Sequence, residues 1–365
     1  MSEIRKIGVL TSGGDCAGLN AAIRAITFRA IEGYGWQVFG IRQGTHGLMK
    51  RPVDAEELTL DLFSGTVLRM GGTMLGTVNR GDPFAYPMPD GSLSDRSQEI
   101  IDGYYELGLD ALIGIGGDGS LDILRRLAQQ GGLNLVGIPK TIDNDVGETE
   151  NSIGYVTAVD VATEALDRLQ PTAASHDRVM VLEVMGREAG HIALSAGISG
   201  GADAILLPEI EWSSDGLARK IESVRASGRN FALVIVAEAA RMPGGEVIGR
   251  ERDDGAIRLG GIGQGVGQLI EDRTGCETRV TVLGYLQRGG IPSARDRLFA
   301  SAFGVAAVDL VAAKKFDRLV VWSSRNCSDV PLEQGIAHHQ SVDPDGQLVH
   351  TARGLSIYLG GETAP

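Results

Sequence analysis

One pattern limits what this chain can fold into more than any other. A short apolar run, a glycine-rich turn and a helix-compatible run follow one another twice, each time with an aspartate in or beside the turn. Ile7-Gly8-Val9-Leu10 leads into Thr11-Ser12-Gly13-Gly14-Asp15-Cys16-Ala17-Gly18-Leu19-Asn20 and a helix from Ala21 to about Ile31. Ala111 to Ile115 leads into Gly116-Gly117-Asp118-Gly119-Ser120 and a helix from Leu121 to Gln129. A third apolar run, Leu133 to Gly137, reads as a buried strand and leads into Ile138-Pro139-Lys140-Thr141-Ile142-Asp143-Asn144-Asp145-Val146. Parallel strands can only be joined by crossovers, so this alternation predicts a parallel sheet with helices on both faces. The turns then converge on the carboxyl edge of the sheet, where open α/β sheets bind ligands.

The alternation continues. Strands are expected at Trp36 to Arg42, Arg178 to Val184, Ala204 to Leu207, Phe231 to Val236, Thr278 to Leu283 and Arg318 to Trp322. Helices are expected at Ser94 to Leu107, Asp215 to Ser227, Ile262 to Thr274 and Arg295 to Ala313. Arg69 to Asp82 and Arg241 to Gly261 read as polar, glycine-rich loops. The 52 glycines against 12 prolines fit a chain with many tight strand-to-helix turns. A length of 365 residues suggests about two domains. No short repeat and no Pro/Ser linker divides the chain, which points to two packed α/β halves. The polar, histidine-containing stretch from Gln334 to Pro365 reads as surface.

A formal net charge of -13 argues against a nucleic-acid or anionic-membrane surface, because those partners need clustered Lys and Arg. An anionic ligand must therefore meet a local cationic pocket. Cys16, Cys276 and Cys327 are odd in number and lack a C-x-x-C pair, which disfavours a disulfide framework and a zinc site. The N-terminus has no signal-peptide core, and no apolar run reaches about 18 residues, so a cytoplasmic chain without a membrane span is expected.

Asp118, Asp143 and Asp145 stand at expected strand ends, where phosphoryl transfer wants hard ligands for Mg²⁺ and a general base. Arg178, Arg187, Arg279 and Arg288 stand at starts or ends of strands, and arginines suit bidentate capture of phosphate. Each residue alone also has a plainer use. An aspartate after a strand can be a helix N-cap, a lone arginine a solvated charge, and a glycine turn only a tight connection. His176 and His191 read as packing or hydrogen-bonding residues.

Taken together, Gly13-Gly14-Asp15-x-x-Gly18-x-Asn20, Gly71-Gly72-Thr73-x-Leu75-Gly76, Gly116-Gly117-Asp118-Gly119-Ser120, Pro139 to Asp145, Met185-Gly186-Arg187 and Gln287-Arg288-Gly289-Gly290 resemble the 6-phosphofructokinase family, in its order, over about residues 4 to 325. The resemblance implies two Rossmann-like three-layer α/β/α domains with mostly parallel sheets. Residues 1–154 with about 287–335 would bind nucleotide, and about 155–286 with the tail 336–365 would bind sugar phosphate. It implies a glycolytic enzyme that phosphorylates the 1-hydroxyl of fructose 6-phosphate with ATP. Asp143 would be the base and Thr141 would contact the transferring group, with Arg187 a further catalytic residue. Gly13, Gly14, Arg80, Gly116, Gly117, Asp118, Gly119 and Ser120 would line the nucleotide, and Asp118 and Asp145 would hold Mg²⁺. Thr141, Asp143, Met185, Gly186, Arg187, Glu238, Tyr285 and Arg288 would hold the sugar phosphate. By the same resemblance the chain forms a homotetramer or homodimer in which Arg178 and Arg279 cross to a neighbour's site.

Some positions depart from the family's bacterial pattern. Tyr285 replaces a histidine on the sugar phosphate, and Arg80 is displaced by one position. In the family's effector pocket Arg24 and Asp203 match, whereas Phe28 and Gln170 replace cations, which weakens the case for the usual effectors. The donor positions point in different directions. Gly119 resembles ATP users and Lys140 pyrophosphate users; the missing side chain at Gly119 leaves room for a nucleotide, while a lysine does not exclude one. A pyrophosphate-dependent enzyme is the alternative, and a non-catalytic sugar-phosphate sensor is an alternative of another class. A diacylglycerol or NAD kinase would share the GGDG turn without needing the acids of Thr141 to Asp145.

Overall fold

A computed structural model describes residues 4–79, 81–251 and 257–361. Its elements are, in chain order, β1 (Lys6–Thr11), α1 (Leu19–Tyr34), β2 (Gln37–Ile41), β3 (Ala55–Glu57), α2 (Ser97–Glu106), β4 (Ala111–Gly116), α3 (Asp118–Gly131), β5 (Leu135–Thr141) and α4 (Tyr155–Ser175). Next come β6 (Val179–Val184), α5 (His191–Ser199), β7 (Ala204–Leu206), α6 (Ser214–Ala226), β8 (Ala232–Ala237), α7 (Ile262–Thr274) and β9 (Thr278–Val282). The last are α8 (Ala294–Ala312), β10 (Arg318–Ser323), β11 (Asn326–Pro331), α9 (Leu332–Ala337) and α10 (Gln347–Gly354). Short helical turns and hairpins fill the connections.

The chain divides into two units, one running to Val156 and resuming at Arg288–His339, the other comprising Thr157–Gln287 and the residues from Gln340. The first holds a sheet in the order β11-β10-β5-β4-β1-β2-β3. Its central pairings, β2 to β1, β1 to β4, β4 to β5 and β5 to β10, are parallel, and only the outermost strands β3 and β11 run antiparallel to their neighbours. Strands β4 and β5 are buried along their whole length, which is why they read as continuous apolar runs. The second unit holds a four-stranded, all-parallel sheet in the order β7-β8-β6-β9. Each unit has its own apolar core, around Leu10, Leu121, Leu135 and Leu319 in the first and around Val181, Val234, Ile221 and Val266 in the second.

Several elements differ from the sequence reading. The helix expected from Ser94 begins at Ser97, because Leu93–Ser94 pairs with Tyr86–Pro87 and the Asp95 side chain accepts the Ser97 amide at 2.8 Å. The expected loop Arg241 to Gly261 contains a hairpin of Gly249–Glu251 with Ile257–Leu259. Helix α5 is only nine residues long, with His191, Ser195 and Ser199 on its less buried face and apolar or small residues elsewhere, which gives a weak helical pattern to read, and α4 carries Pro171 within it. Strand β5 runs on through Pro139, Lys140 and Thr141, which brings Asp143 and Asp145 to the very edge of the sheet.

The acidic loop beyond β5 is held by its own side chains. The Thr141 hydroxyl accepts the Asp143 amide at 3.1 Å. Asn144, between the two acids, has φ 55°, a left-handed conformation that asparagine tolerates better than most residues. Its Oδ1 accepts the Ser152 amide at 2.8 Å and its Nδ2 donates to the Glu150 carbonyl at 3.2 Å. Asn144→Ala removes both bonds and leaves alanine in the left-handed region. The variant should lose about 2–4 kcal/mol, read as a lowered urea midpoint with an unchanged m-value.

Candidate active site

The first glycine turn, the start of α3 and the end of β5 meet because β1, β4 and β5 are neighbours in the first sheet. Gly13 has φ 83°, and a Cβ there would lie 2.8 Å from Ser120 Oγ and 3.2 Å from Lys140 Nζ, so the turn closes only on a residue without a side chain. The turn is tied to the segment beyond Gly76. The Gly13 amide donates to the Val78 carbonyl at 3.0 Å, and Thr77 Oγ1 donates to the Gly13 carbonyl at 2.7 Å. Arg80, named above for the nucleotide, lies outside the described residues.

Lys140 is 4% exposed, and its ammonium donates to the Gly14 carbonyl at 2.6 Å. Burial holds its pKa below the usual lysine value; Cys16, Asp143 and Asp15 act against that shift and Arg288 adds to it. Arg288 Nη1 donates to the Asp15 carbonyl at 3.0 Å. Burial likewise pushes the Cys16 thiol up to about 12, and its sulfur donates to the Ile153 carbonyl at 3.2 Å. This thiol is a packing group.

Helix α3 starts earlier than the sequence suggests. Its N-cap is Gly117, without a side-chain cap bond, so Asp118 is the first helical residue and not a cap. Asp118, Gly119 and Ser120 form the first turn, whose amides have no partner within the helix and whose dipole favours anions. A Cβ at Gly119 would meet no atom within 4 Å, so the space beyond it is open.

Asp143 and Asp145 are buried, at 3% and 2% exposure. Asp118, Asp145 and His339 each offer one ligand atom, and these atoms all lie within 4.8 Å of one another. The two carboxylates are hard oxygen donors of the kind Mg²⁺ takes. His339 lies in the stretch read as surface. Nothing local in the sequence marks it, because a backbone bridge to Val146 is what brings it to Asp145.

In the second unit, Met185, Gly186 and Arg187 follow β6 and Glu238 follows its neighbour β8. Glu238 Oε1 accepts the Gly186 and Arg187 amides at 3.3 and 3.0 Å, so the four positions form one cluster at the carboxyl edge. The Met185 amide donates at 2.7 Å to Oε1 of Gln287, a buried residue of the turn after β9. Tyr285, on the same turn, is 66% exposed.

Arg178 and Arg279 lie elsewhere. They stand at the amino ends of β6 and β9, across a six-residue strand from that cluster, a separation of about 20 Å. Arg178 Nη2 lies 2.8 Å from Glu277 Oε1, and Arg279 pairs with the same carboxylate. Of the positions compared with the effector pocket, Arg24 stacks on Phe28 at 4.3 Å from the ring centroid, and Asp203 pairs with Arg229 and accepts the Leu233 amide at 2.9 Å.

Sequence reasoning quoted Asn20 only as part of a motif. Its Nδ2 donates to the Met70 and Gly71 carbonyls at 3.2 and 3.3 Å, and its Oδ1 accepts the Met74 amide at 2.7 Å, which ties down the glycine loop after residue 70. Little in the sequence could have marked it, because at the end of a glycine turn an asparagine is an ordinary turn or cap residue. Asp296, with no mark in the sequence, is fully buried and accepts the Gly154 amide at 2.9 Å.

The Phosphofructokinase family profile matches residues 6–311. The "ATP-dependent 6-phosphofructokinase 1" of a Nostoc species is 62% identical over 360 residues, covering 99% of this chain and 100% of that protein. Its namesake from Synechocystis is 60% identical over 362 residues, with the same coverage. Among solved structures, phosphofructokinase from Saccharomyces cerevisiae is 31% identical with a TM-score of 0.77; the match covers 91% of this chain and 45% of the longer yeast chain. A pyrophosphate-dependent phosphofructokinase from Marinobacter aquaeolei shares the fold with a TM-score of 0.77, at 21% identity and with 98% and 93% of the two chains covered. Matched by the family profile over residues 6–311 and 62% identical to a relative over nearly its whole length, the chain belongs to the phosphofructokinase family.

Proposed function

We propose that the chain is a glycolytic, ATP-dependent 6-phosphofructokinase that works in the cytoplasm. It moves the γ-phosphoryl group of ATP to the 1-hydroxyl of fructose 6-phosphate, giving fructose 1,6-bisphosphate and ADP. The observation that carries the reaction is the buried Asp143 at the end of β5, in the same unit as a glycine turn and a helix N-terminus suited to phosphates. The close relatives' printed names support ATP as donor. Three free cysteines, and the absence among the described residues of a helix long and apolar enough to cross a membrane, agree with this setting.

In this reading Gly13, Gly14, Gly116, Gly117, Gly119 and Ser120 line the nucleotide phosphates, and the first unit is the nucleotide-binding one. Met185, Gly186, Arg187, Glu238 and Tyr285, the last a neutral hydrogen-bond donor, hold the sugar phosphate on the second, and Arg288, where the first unit resumes, is assigned to the same ligand as a charged donor. The Asp143 carboxylate accepts the proton of the 1-hydroxyl as O1 bonds to the γ-phosphorus. The bond from that phosphorus to the β,γ-bridging oxygen breaks, and the electron pair leaves with ADP. Thr141 contacts the moving phosphoryl group, and Arg187 is a further catalytic residue of the sugar-phosphate pocket. Mg²⁺ held by Asp118 and Asp145 would neutralise charge on the phosphate oxygens. Little covalent work falls on the protein, so positioning and charge set the rate.

Asp143→Asn keeps the shape of the side chain and removes its basicity. Turnover should fall by about 10²–10⁴-fold in a variant that still folds, as its circular dichroism spectrum shows, and a near-normal rate would exclude Asp143 as the base. For the donor, the open space at Gly119 and the engagement of Lys140 with the Gly14 carbonyl both favour a nucleotide. ATP should support far faster turnover than pyrophosphate, and Gly119→Asp, which adds a negative charge beside the phosphates, should lower kcat/KM for ATP by about 100-fold. Faster turnover on pyrophosphate in the unaltered protein would overturn the assignment.

We further propose that the active form is a homotetramer or homodimer in which Arg178 and Arg279 serve a neighbouring copy. Their place at the amino edge, away from Arg187 and Glu238, supports this. Subunits of Asp143→Asn and Arg279→Ala, each nearly inactive, should on mixing and reassembly regain about a quarter of the active sites if the arginine acts across the interface. No recovery would show that each chain uses its own Arg279.

A further inference from the structure

Asp118 and Asp145 have a nitrogen donor beside them. His339 follows α9, and its backbone bridges Val146 in an antiparallel pair. The Gly147 amide donates to the Gly335 carbonyl at 3.0 Å, and a Cβ at Gly147 would lie 3.0 Å from the His338 carbonyl, so the turn after α9 rests directly on the backbone that follows Asp145. The imidazole is thereby held where its Nδ1 is 3.5 Å from Asp145 Oδ2. Its side chain remains 31% exposed while that of Asp145 is 2% exposed. An ion arriving from solvent would therefore reach both. Ligands at about 2.1 Å from a common ion stand at most about 4.2 Å apart, so a cluster within 4.8 Å needs only small side-chain rotations to close on one.

We propose that His339 is a third ligand of this cation site and that it shifts the site's preference from Mg²⁺ toward transition-metal dications. Two carboxylates and phosphate oxygens make an all-oxygen environment, which is what Mg²⁺ selects. An imidazole nitrogen adds little for Mg²⁺, whereas divalent transition metals accept it readily and gain affinity along the usual series from Mn²⁺ onward. The inference rests on the reading of Asp118 and Asp145 as metal ligands, and it can be tested without nucleotide or turnover.

The test is Mn²⁺ binding to the full chain, followed by electron paramagnetic resonance, with Mg²⁺ as competitor. Bound Mn²⁺ should show electron spin echo modulation from a directly coordinated ¹⁴N nucleus. In His339→Ala and in His339→Gln, which keeps an oxygen donor, that modulation should vanish. In His339→Ala the Mn²⁺ dissociation constant should rise about tenfold while that of Mg²⁺ changes by less than about threefold. Nitrogen modulation that persists in both variants, or an unchanged Mn²⁺ affinity in His339→Ala, overturns the proposal. Asp145→Asn separates the two readings. It should abolish the Mn²⁺ site; if it does so while both His339 variants behave like the unaltered protein, only the histidine's role falls, and if it leaves Mn²⁺ affinity unchanged the carboxylate site falls with it.

Discussion

A lysine ammonium held out of water is the constraint on which the first unit's edge depends. Removing a charge from solvent is costly unless it is hydrogen-bonded and faces opposite charge. Lys140 meets that condition through the Gly14 carbonyl, with Asp143 and Asp15 near enough to oppose the loss of its proton. The same contact joins the end of β5 to the turn after β1, two strands away in the sheet. Gly13 has to be glycine because Ser120 and Lys140 occupy the space where a side chain would stand. The glycine turn after β1 and the acidic loop are therefore one packed object, and Lys140 is part of its framework.

Around that object, side-chain amides do the work that regular secondary structure cannot. Asn20 binds the loop after residue 70, Asn144 binds residues 150 to 152, and Gln287 receives the Met185 amide. Backbone groups at sheet edges have no ladder partner, and a buried one left unsatisfied costs about 1–3 kcal/mol. Each amide supplies such a partner from a neighbouring element. The irregular loops are in this way as defined as the strands they follow, which a reaction driven by positioning requires.

The second unit applies the same rule of parallel sheets to a different end. Its carboxyl edge gathers Met185, Gly186, Arg187 and Glu238, and its amino edge gathers Arg178, Glu277 and Arg279. A strand six residues long keeps those two groups about 20 Å apart. Arginines at the far edge are too distant to touch the cluster of their own unit, and both pair with Glu277 there.

Much of this was legible in the order of residues. Buried parallel strands are short and wholly apolar, and glycine turns with acids after them can only face one edge, so β1, β4 and β5 and the places of Asp118, Asp143 and Asp145 followed from local pattern. Helix α5 did not, because nine residues with three glycine or alanine positions and only three polar ones carry too short a period to reveal a helix. Asp118 as the first residue of α3, where a turn had been expected, depended on how Gly117 enters the helix. Which arginines share an edge was hidden as well, since a residue before a strand and one after it look alike in sequence. His339 is the clearest case of what tertiary structure alone decided. It stands nearly 200 residues from Asp145, and a two-residue backbone contact with no signature of its own places one beside the other. Local sequence determines the elements and the chemistry each carries; which distant side chains meet is decided by packing and backbone pairing, whose specificity is spread over the whole chain.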